Sequence, residues 1–117
     1  KEIESIVNKT IGVEVELKNR LEKITGISYA FIFGSYAKGG VKSDSDIDLF
    51  VIGDMKEDEV FKAVSLAENA VGREINYHLC GVEEFAGKTG KEYFYKDILK
   101  NIILLIGDAN EFRKRIR

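Results

Sequence analysis

The chain has 117 residues, 44% of them hydrophobic and 32% charged, and its formal net charge of −2 gives no overall attraction to nucleic acid or anionic lipid. This length suits one domain, no apolar run reaches the roughly 20 residues of a membrane helix, and the first residues lack the layout of a signal peptide. Because a single cysteine excludes an intramolecular disulfide and a cysteine-based zinc site, we expect a protein of the reducing cytoplasm.

The first 25 residues predict a helical segment. Apolar side chains recur at helical spacing over residues 2–10 and again over 14–24. Gly26 stands where a helix C-cap is expected. We therefore expect two helical stretches before the first strand.

Two strands follow, separated by a polar connection. Ile27–Phe33 is rich in β-branched and aromatic residues, as is typical of a buried strand, and it stops at Gly34 and Ser35. A short helix is expected over 36–40, and residues 46–52 predict the second strand.

The second half of the chain alternates helical and strand patterns. In order, the patterns predict an amphipathic helix over 57–71, an alternating strand over 73–80, helices over 82–87 and 92–100, an apolar strand over 102–106, and a basic helix over 108–117 that begins at an N-cap, Asp108. Strands separated by helices indicate an α/β or α+β domain, with helices flanking a small mixed sheet. We expect one domain over 1–117, with a helical segment over 1–25, a sheet core over 27–107 and the C-terminal helix.

The end of the first strand has the properties of a phosphate site. Gly34 lacks a Cβ, so the chain can bend there and its backbone can approach a ligand closely. Ser35 begins the predicted short helix, where N–H groups and the helix dipole favour an anion such as a triphosphate. Lys38 and Lys42 flank this position and can neutralise phosphate charge, although the simpler interpretation of both is solvated surface.

The start of the second strand carries paired carboxylates. Residues two apart on a strand share a face, so Asp46 and Asp48 project together, about 7 Å apart along the strand. Such a pair can bind one or two Mg²⁺ ions that also hold phosphate oxygens, as in phosphoryl and nucleotidyl transfer. Alone, Gly-Ser is usually a turn and Asp-x-Asp a solvated strand edge. Their conjunction predicts a nucleotide site.

The runs FGSYAKG (residues 33–39) and SDIDLFV (residues 45–51) resemble the motifs of the DNA polymerase beta superfamily of nucleotidyltransferases, and within it the minimal nucleotidyltransferase branch. This resemblance implies a nucleotidyltransferase fold, with Ser35 on the triphosphate and Asp46 and Asp48 on Mg²⁺. It also implies transfer of a nucleoside monophosphate from a nucleoside triphosphate, with ATP favoured, to an acceptor hydroxyl.

One position departs from the family pattern. Active members carry a third carboxylate on a neighbouring strand, and the alternation over 73–80 puts Asn76 in that position. An amide cannot act as a general base, so we expect Asn76 to contact the nucleotide instead. Glu74, one pleat away on the same face, is the candidate catalytic replacement, and His78 is a further proton acceptor.

Three functional interpretations remain open at this point. In the first interpretation, the chain is an active transferase that uses Glu74, with its acceptor on a partner protein or second domain. Similar minimal nucleotidyltransferases act as antitoxins of HEPN-type toxins. Alternatively, it is a nucleotide-binding module with weakened catalysis. Residues 71–77 and 83–85 resemble a subgroup found behind a winged-helix DNA-binding domain, which fits a chain that starts at Lys1. In the third interpretation the motif is incidental and the domain is structural.

Overall fold

The structure is a computed structural model that describes residues 2–39, 46–89 and 99–115, with side chains over 12–39, 46–87 and 99–114. In chain order the elements are α1 (Glu2–Leu21), β1 (Ile27–Phe33), β2 (Ile47–Gly53), α2 (Glu57–Val71), β3 (Ile75–Cys80), α3 (Val82–Thr89), β4 (Ile103–Ile106) and α4 (Ala109–Arg115). The strands form a sheet in the order β3-β2-β1-β4. β2 and β3 are parallel, and the other two pairs are antiparallel.

The N-terminal segment is a single helix rather than two helical stretches. α1 runs without a break past Gly12, where an added Cβ would meet nothing within 4 Å. A glycine inside a helix costs only about 1 kcal/mol relative to alanine, which burial of one continuous stripe can offset. That stripe consists of Val13, Leu17 and Leu21, all buried at a spacing of four residues.

Gly26 does not cap this helix, so that prediction is wrong. α1 ends at Leu21, and the N–H of Ile24 donates to its carbonyl at 3.0 Å, which tightens the last turn. Gly26 instead has a φ of 100° and lies against Asp54, whose N–H donates to the Gly26 carbonyl at 2.9 Å. A Cβ at Gly26 would overlap the Asp54 carbonyl, so the glycine is required by the approach of two loops.

Among the described elements, two helices pack on each face of the sheet. An aliphatic cluster joins one face to α1 and α2; its members are Val13, Leu17, Leu21, Ala30, Ile32, Ile47, Leu49, Val51, Val60, Val64, Ala67, Ile75 and Leu105. An aromatic cluster joins the other face to α3 and α4; its members are Tyr29, Phe31, Phe33, Phe50, Ile52, Cys80, Phe85 and Phe112. The predicted fold class, a small mixed sheet flanked by helices, is thereby confirmed.

Most of the remaining predicted elements are confirmed, with small shifts at their ends. β1 and α2 have the predicted bounds, and α2 ends at Val71 with Gly72 as its C-cap, at a φ of 70°. The helix predicted over 92–100 falls largely outside the described residues. Asp108 caps α4 as predicted, because its Oδ1 accepts from the N–H groups of Asn110 at 2.9 Å and Glu111 at 3.0 Å. Within the described ranges, none of the helices combines the length and hydropathy that crossing a membrane requires.

The start of α3 is held by one carboxylate. Oε1 of Glu84 accepts from the backbone N–H of Gly81 at 3.5 Å and from the Sγ of Cys80 at 3.4 Å. A glutamate at this place reaches back over the first turn and satisfies an N–H that the helix leaves open. The buried thiol is therefore tied to the helix that covers it.

Candidate functional site

The turn after β1 brings the glycine of the Gly-Ser motif against the second aspartate. Gly34 has a φ of 78°, a conformation that favours glycine. A Cβ added there would overlap the carboxylate of Asp48, whose Cγ would lie 3.3 Å away. Phe33 and Asp48 are Cα partners in the antiparallel β1–β2 pair, which explains the approach. Backbone conformation and close packing therefore both require glycine at this position.

The connection after Gly34 is a turn, so the helix predicted over 36–40 is not formed in its described part. The N–H of Lys38 donates to the Gly34 carbonyl at 3.1 Å, and the N–H of Gly39 donates to the Tyr36 carbonyl at 3.2 Å. Gly39 then leaves the helical region with a φ of 86°, which ends the turn after these two bonds. Ser35 and Lys38 are exposed on this turn, and Lys42 lies outside the described residues.

Asn76 lies beside both aspartates. It is the Cα partner of Asp48 in the parallel β2–β3 pair. Its Nδ2 donates to Oδ2 of Asp46 at 3.3 Å, so the first aspartate, which precedes β2, also belongs to this group. The sheet thus gathers Gly34, Asp46, Asp48 and Asn76 at one end of its aromatic face.

Glu74, the proposed catalytic replacement, precedes β3 and does not share the contacts described for Asn76. Its side chain is exposed just before β3, and its backbone carbonyl accepts from the N–H of Ile47 at 2.9 Å. The backbone of Glu74 therefore lies level with the start of β2. In the part of the chain that the structure describes, no three His, Cys, Asp or Glu side chains are gathered as a metal ligand set. The catalytic role of Glu74 remains a prediction.

An open groove of about 560 Å³ runs from Asp48 along β3, where it is lined by residues 75–78. His78 forms one wall, with its ring centroid 5.9 Å from that of Phe50 and 5.8 Å from that of Phe33. These distances are typical of packed aromatic rings. Both phenylalanines fall within the motif runs 33–39 and 45–51, but their packing with His78 was not predicted from the sequence. Their places beside Asp48 follow from the strand register.

The donor atoms of the site fit a hard divalent cation. Asp46 and Asp48 offer carboxylate oxygens, and the side-chain oxygen of Asn76 adds a neutral ligand, since its nitrogen points to Asp46. Mg²⁺ prefers such oxygen ligands and retains waters that phosphate oxygens replace. These three side chains could therefore hold Mg²⁺.

The hydroxyl of Tyr36, next to Ser35, is influenced by burial and by charged side chains of both signs. Burial raises the pKa of its hydroxyl, and the carboxylate of Glu14 on α1 raises it further, while Arg73 lowers it in part. The guanidinium carbon of Arg73 lies 5.2 Å from the centroid of the Tyr36 ring. Sequence patterns gave no signal for this contact, because Arg73 and Tyr36 belong to separate elements.

Several solved structures share this fold. A toxin–antitoxin crystal structure with AMP-PNP is similar with a TM-score of 0.64 at 17% identity, over 88% of this chain and 80% of that chain. A mutant form of the MntA–HpeT toxin–antitoxin complex is similar with a TM-score of 0.62 at 14% identity, over 88% of this chain and 80% of that chain. The structure of a tri-AMPylated HEPN toxin from Shewanella oneidensis in complex with an MNT antitoxin has a TM-score of 0.50 at 14% identity, again over 88% of this chain and 80% of that chain.

No protein of curated function matches this sequence. The family model described as Polymerase beta, Nucleotidyltransferase matches residues 15–110, a range that contains the four described strands, the Gly34 turn and the side chains of Asp46, Asp48 and Asn76. The chain therefore belongs to the polymerase beta nucleotidyltransferase family.

Proposed function

We propose that this domain binds a nucleoside triphosphate together with Mg²⁺ and transfers the nucleoside monophosphate to a hydroxyl group on a partner protein. The observation that carries the proposal is the packing of the Asp48 carboxylate against Gly34, which joins the phosphate-binding turn to the acidic strand. ATP is the favoured nucleotide, because one similar structure contains AMP-PNP and another contains an AMPylated toxin.

The residues of the turn would bind the phosphates. Ser35 is exposed at the end of β1, and its hydroxyl would donate to a phosphate oxygen, together with backbone N–H groups at the start of the turn. Lys38 adds positive charge on the same turn, and Lys42 is proposed to do so from the segment outside the described residues. Asn76 would contact the nucleotide or its cation through the side-chain oxygen.

Asp46 and Asp48 would hold one or two Mg²⁺ ions. Bound there, Mg²⁺ neutralises charge on the phosphate oxygens. In the proposed reaction the acceptor oxygen forms a bond to the α-phosphorus, the bond from that phosphorus to the bridging oxygen breaks, and pyrophosphate leaves. The acceptor proton passes to a base, and Glu74, which is exposed beside β3, is our candidate.

A macromolecular acceptor suits the shape of the site. The groove beside Asp48 is open along β3, so an incoming protein segment can reach the carboxylates without a conformational change in the sheet. The domain is also small, with little area for an enclosed acceptor pocket. The partner is therefore proposed to supply both the hydroxyl and part of the site, in the cytoplasm where ATP is available.

A second candidate function is nucleotide binding with weakened catalysis, as the nucleotide-binding part of a winged-helix regulator. The favouring observation is Asn76, which faces Asp48 across the β2–β3 pair and uses its amide to donate to Asp46. A carboxylate at that position would supply a base and a charged ligand, whereas the amide oxygen is only a neutral ligand. In this case the domain would respond to ATP and Mg²⁺ without consuming them.

Titration with ATP and Mg²⁺ tests what both candidates share. Asp48→Asn should weaken binding at least about tenfold, because it removes a charged ligand. Asp54→Asn is the matched control, since this exposed aspartate follows β2 at the opposite end of the strand, and it should leave the affinity unchanged. Absence of binding by the native chain, or equal binding by both variants, would overturn both candidates.

Transfer assays separate the two candidates. ATP labelled at the α-phosphate should label a co-purifying partner, whereas ATP labelled at the γ-phosphate should not. Glu74→Gln should abolish labelling while leaving ATP affinity within about twofold, because it keeps the shape and removes the base. Binding without transfer, together with transfer gained in Asn76→Asp, would favour the weakened module.

A further inference from the structure

We infer that Arg73 is a positioning residue, which holds the turn over residues 34–39 in its phosphate-binding conformation through the ring of Tyr36. The inference rests on the proposed function for its effect on nucleotide affinity, but not for its effect on the turn. It starts from one contact: the guanidinium carbon of Arg73 lies 5.2 Å from the centroid of the Tyr36 ring. That distance is within the range of about 6 Å over which a cation is attracted to an aromatic face.

Tyr36 joins the turn to the body of the domain. Its ring is half-buried and, with Ala37, packs against the aliphatic cluster that α1 and α2 form with the sheet. Glu14 of α1 is near enough to its hydroxyl to influence it. Arg73 therefore approaches a ring that is already partly withdrawn from water, where its attraction for a cation is less screened.

The backbone around Arg73 is firmly held. Before it, the N–H of Gly72 donates to the Glu68 carbonyl at 2.8 Å, and after it, the N–H of Ile75 donates to Oε2 of Glu68 at 2.8 Å. The carbonyl of Glu74 accepts from β2 as well. Arg73 is thus carried by a segment fixed on both sides.

The turn that Arg73 approaches is bridged by backbone hydrogen bonds between its own residues. The N–H of Lys38 donates to the carbonyl of Gly34, and the N–H of Gly39 donates to the carbonyl of Tyr36. Glycines at both ends of the turn permit other conformations. The restraint therefore acts from the fixed segment on the turn: with the Tyr36 ring held between the core and the guanidinium, Ser35 keeps one orientation.

This arrangement predicts a measurable cost when the contact is removed. If the turn is in its binding conformation for only a fraction of the time, the apparent dissociation constant rises by the inverse of that fraction. We expect Arg73→Gln to raise the dissociation constant for ATP and Mg²⁺ roughly fivefold, because a factor of this size corresponds to the loss of one cation–π contact of about 1 kcal/mol. Tyr36→Leu should do the same, and the double variant should add little, because each change removes the same interaction.

Amide hydrogen exchange of the nucleotide-free protein tests the positioning role itself. In Arg73→Gln and Tyr36→Leu, exchange at the N–H groups of Lys38 and Gly39 should accelerate roughly fivefold, while amides inside β2 keep their native rates. Tyr36→Phe keeps the aromatic face and should behave as the native chain, and Arg73→Lys should restore most of the protection. Arg113→Gln on α4 removes an equal charge from an exposed side chain and serves as the matched control.

The outcomes separate this inference from the proposed function. Unchanged exchange at Lys38 and Gly39 in Arg73→Gln overturns the positioning role, whatever happens to ATP. A loss of affinity in Arg73→Gln that Tyr36→Leu does not share also overturns it, because it assigns Arg73 a direct contact with phosphate. If exchange responds as expected but the native chain binds no ATP, the proposed function fails and the positioning role stands.

Discussion

The two faces of the sheet use different side chains for different purposes. The face under α1 and α2 is filled by branched aliphatic residues, which interlock without polar groups. The opposite face is filled by aromatic rings, and at one end it continues into His78, Asn76 and Asp48. Because alternate residues of one strand serve both faces, the aromatic face supports the site while the aliphatic face supports the fold. The comparison can be tested by changing neighbouring residues of the same strand.

Phe31 and Ile32 give the largest expected effect. Both are fully buried on β1, at 0% exposure, and they point to opposite faces. Phe31 packs with the rings of Phe50, Phe85 and Phe112 at centroid distances of 5.4, 6.2 and 5.5 Å. Phe31→Ala should lower the free energy of unfolding by about 3–5 kcal/mol and Ile32→Ala by about 2–5 kcal/mol, as measured by urea denaturation.

Milder changes at these positions test the division of roles. Phe31→Leu should also weaken ATP binding, since Phe31 supports Phe50, which lies under His78. Ile32→Val should cost about 0.5–1.5 kcal/mol of stability and leave binding unchanged. Equal effects of both substitutions on ATP affinity would remove the distinction between the faces.

Gly34→Ala comes next in size, because it affects the site directly. The positive φ should cost roughly 1–2 kcal/mol of stability, and the new Cβ should displace Asp48 and abolish ATP binding. Gly72→Ala is the matched control: its φ is 70°, but an added Cβ there would meet nothing within 4 Å. It should show the loss of stability in thermal unfolding and bind ATP normally. A Gly34→Ala variant with native ATP affinity would contradict the geometry of the site.

The smallest expected effect is a loss of folding stability at alkaline pH. It involves Tyr36 and Tyr77, which both pack against the aliphatic face. Burial and the Glu57 carboxylate raise the pKa of Tyr77, as burial and Glu14 raise that of Tyr36. A raised pKa in the folded state stabilises the fold below the unfolded value of about 10, and this contribution is lost as the pH rises through the folded pKa. The native chain should therefore lose stability above about pH 10. The Tyr36→Phe/Tyr77→Phe double variant should lose less, and an identical pH profile would count against these raised values.

Local patterns predicted most of the fold. The bounds of β1 and α2, the alternation of β3 and the N-cap at Asp108 each depend on neighbours in sequence, so period and capping chemistry were enough. The prediction that Gly26 caps a helix was wrong, because α1 ends at Leu21. A glycine marks a possible break, and only the tertiary contacts decide whether the helix ends there.

The site was predictable only in part. Spacing identified Gly34, Asp46 and Asp48 as candidates, and the family match supports the resemblance on which their roles depend. Spacing alone could not give the pairing of Asp48 with Asn76, because a parallel register across a helical crossover is set by packing. The contact of Arg73 with Tyr36 was also beyond reach, since two distant loops meet there.

The thiol of Cys80 makes the aromatic side of the molecule observable without any label being engineered. It is the only cysteine of the chain, and it is buried beneath α3 and bonded to Glu84. A thiol reagent can therefore react only when that helix lifts from the sheet. The rate at which the reagent modifies Cys80 therefore reports how often α3 opens from the sheet. This rate can be compared with and without ATP or a bound partner.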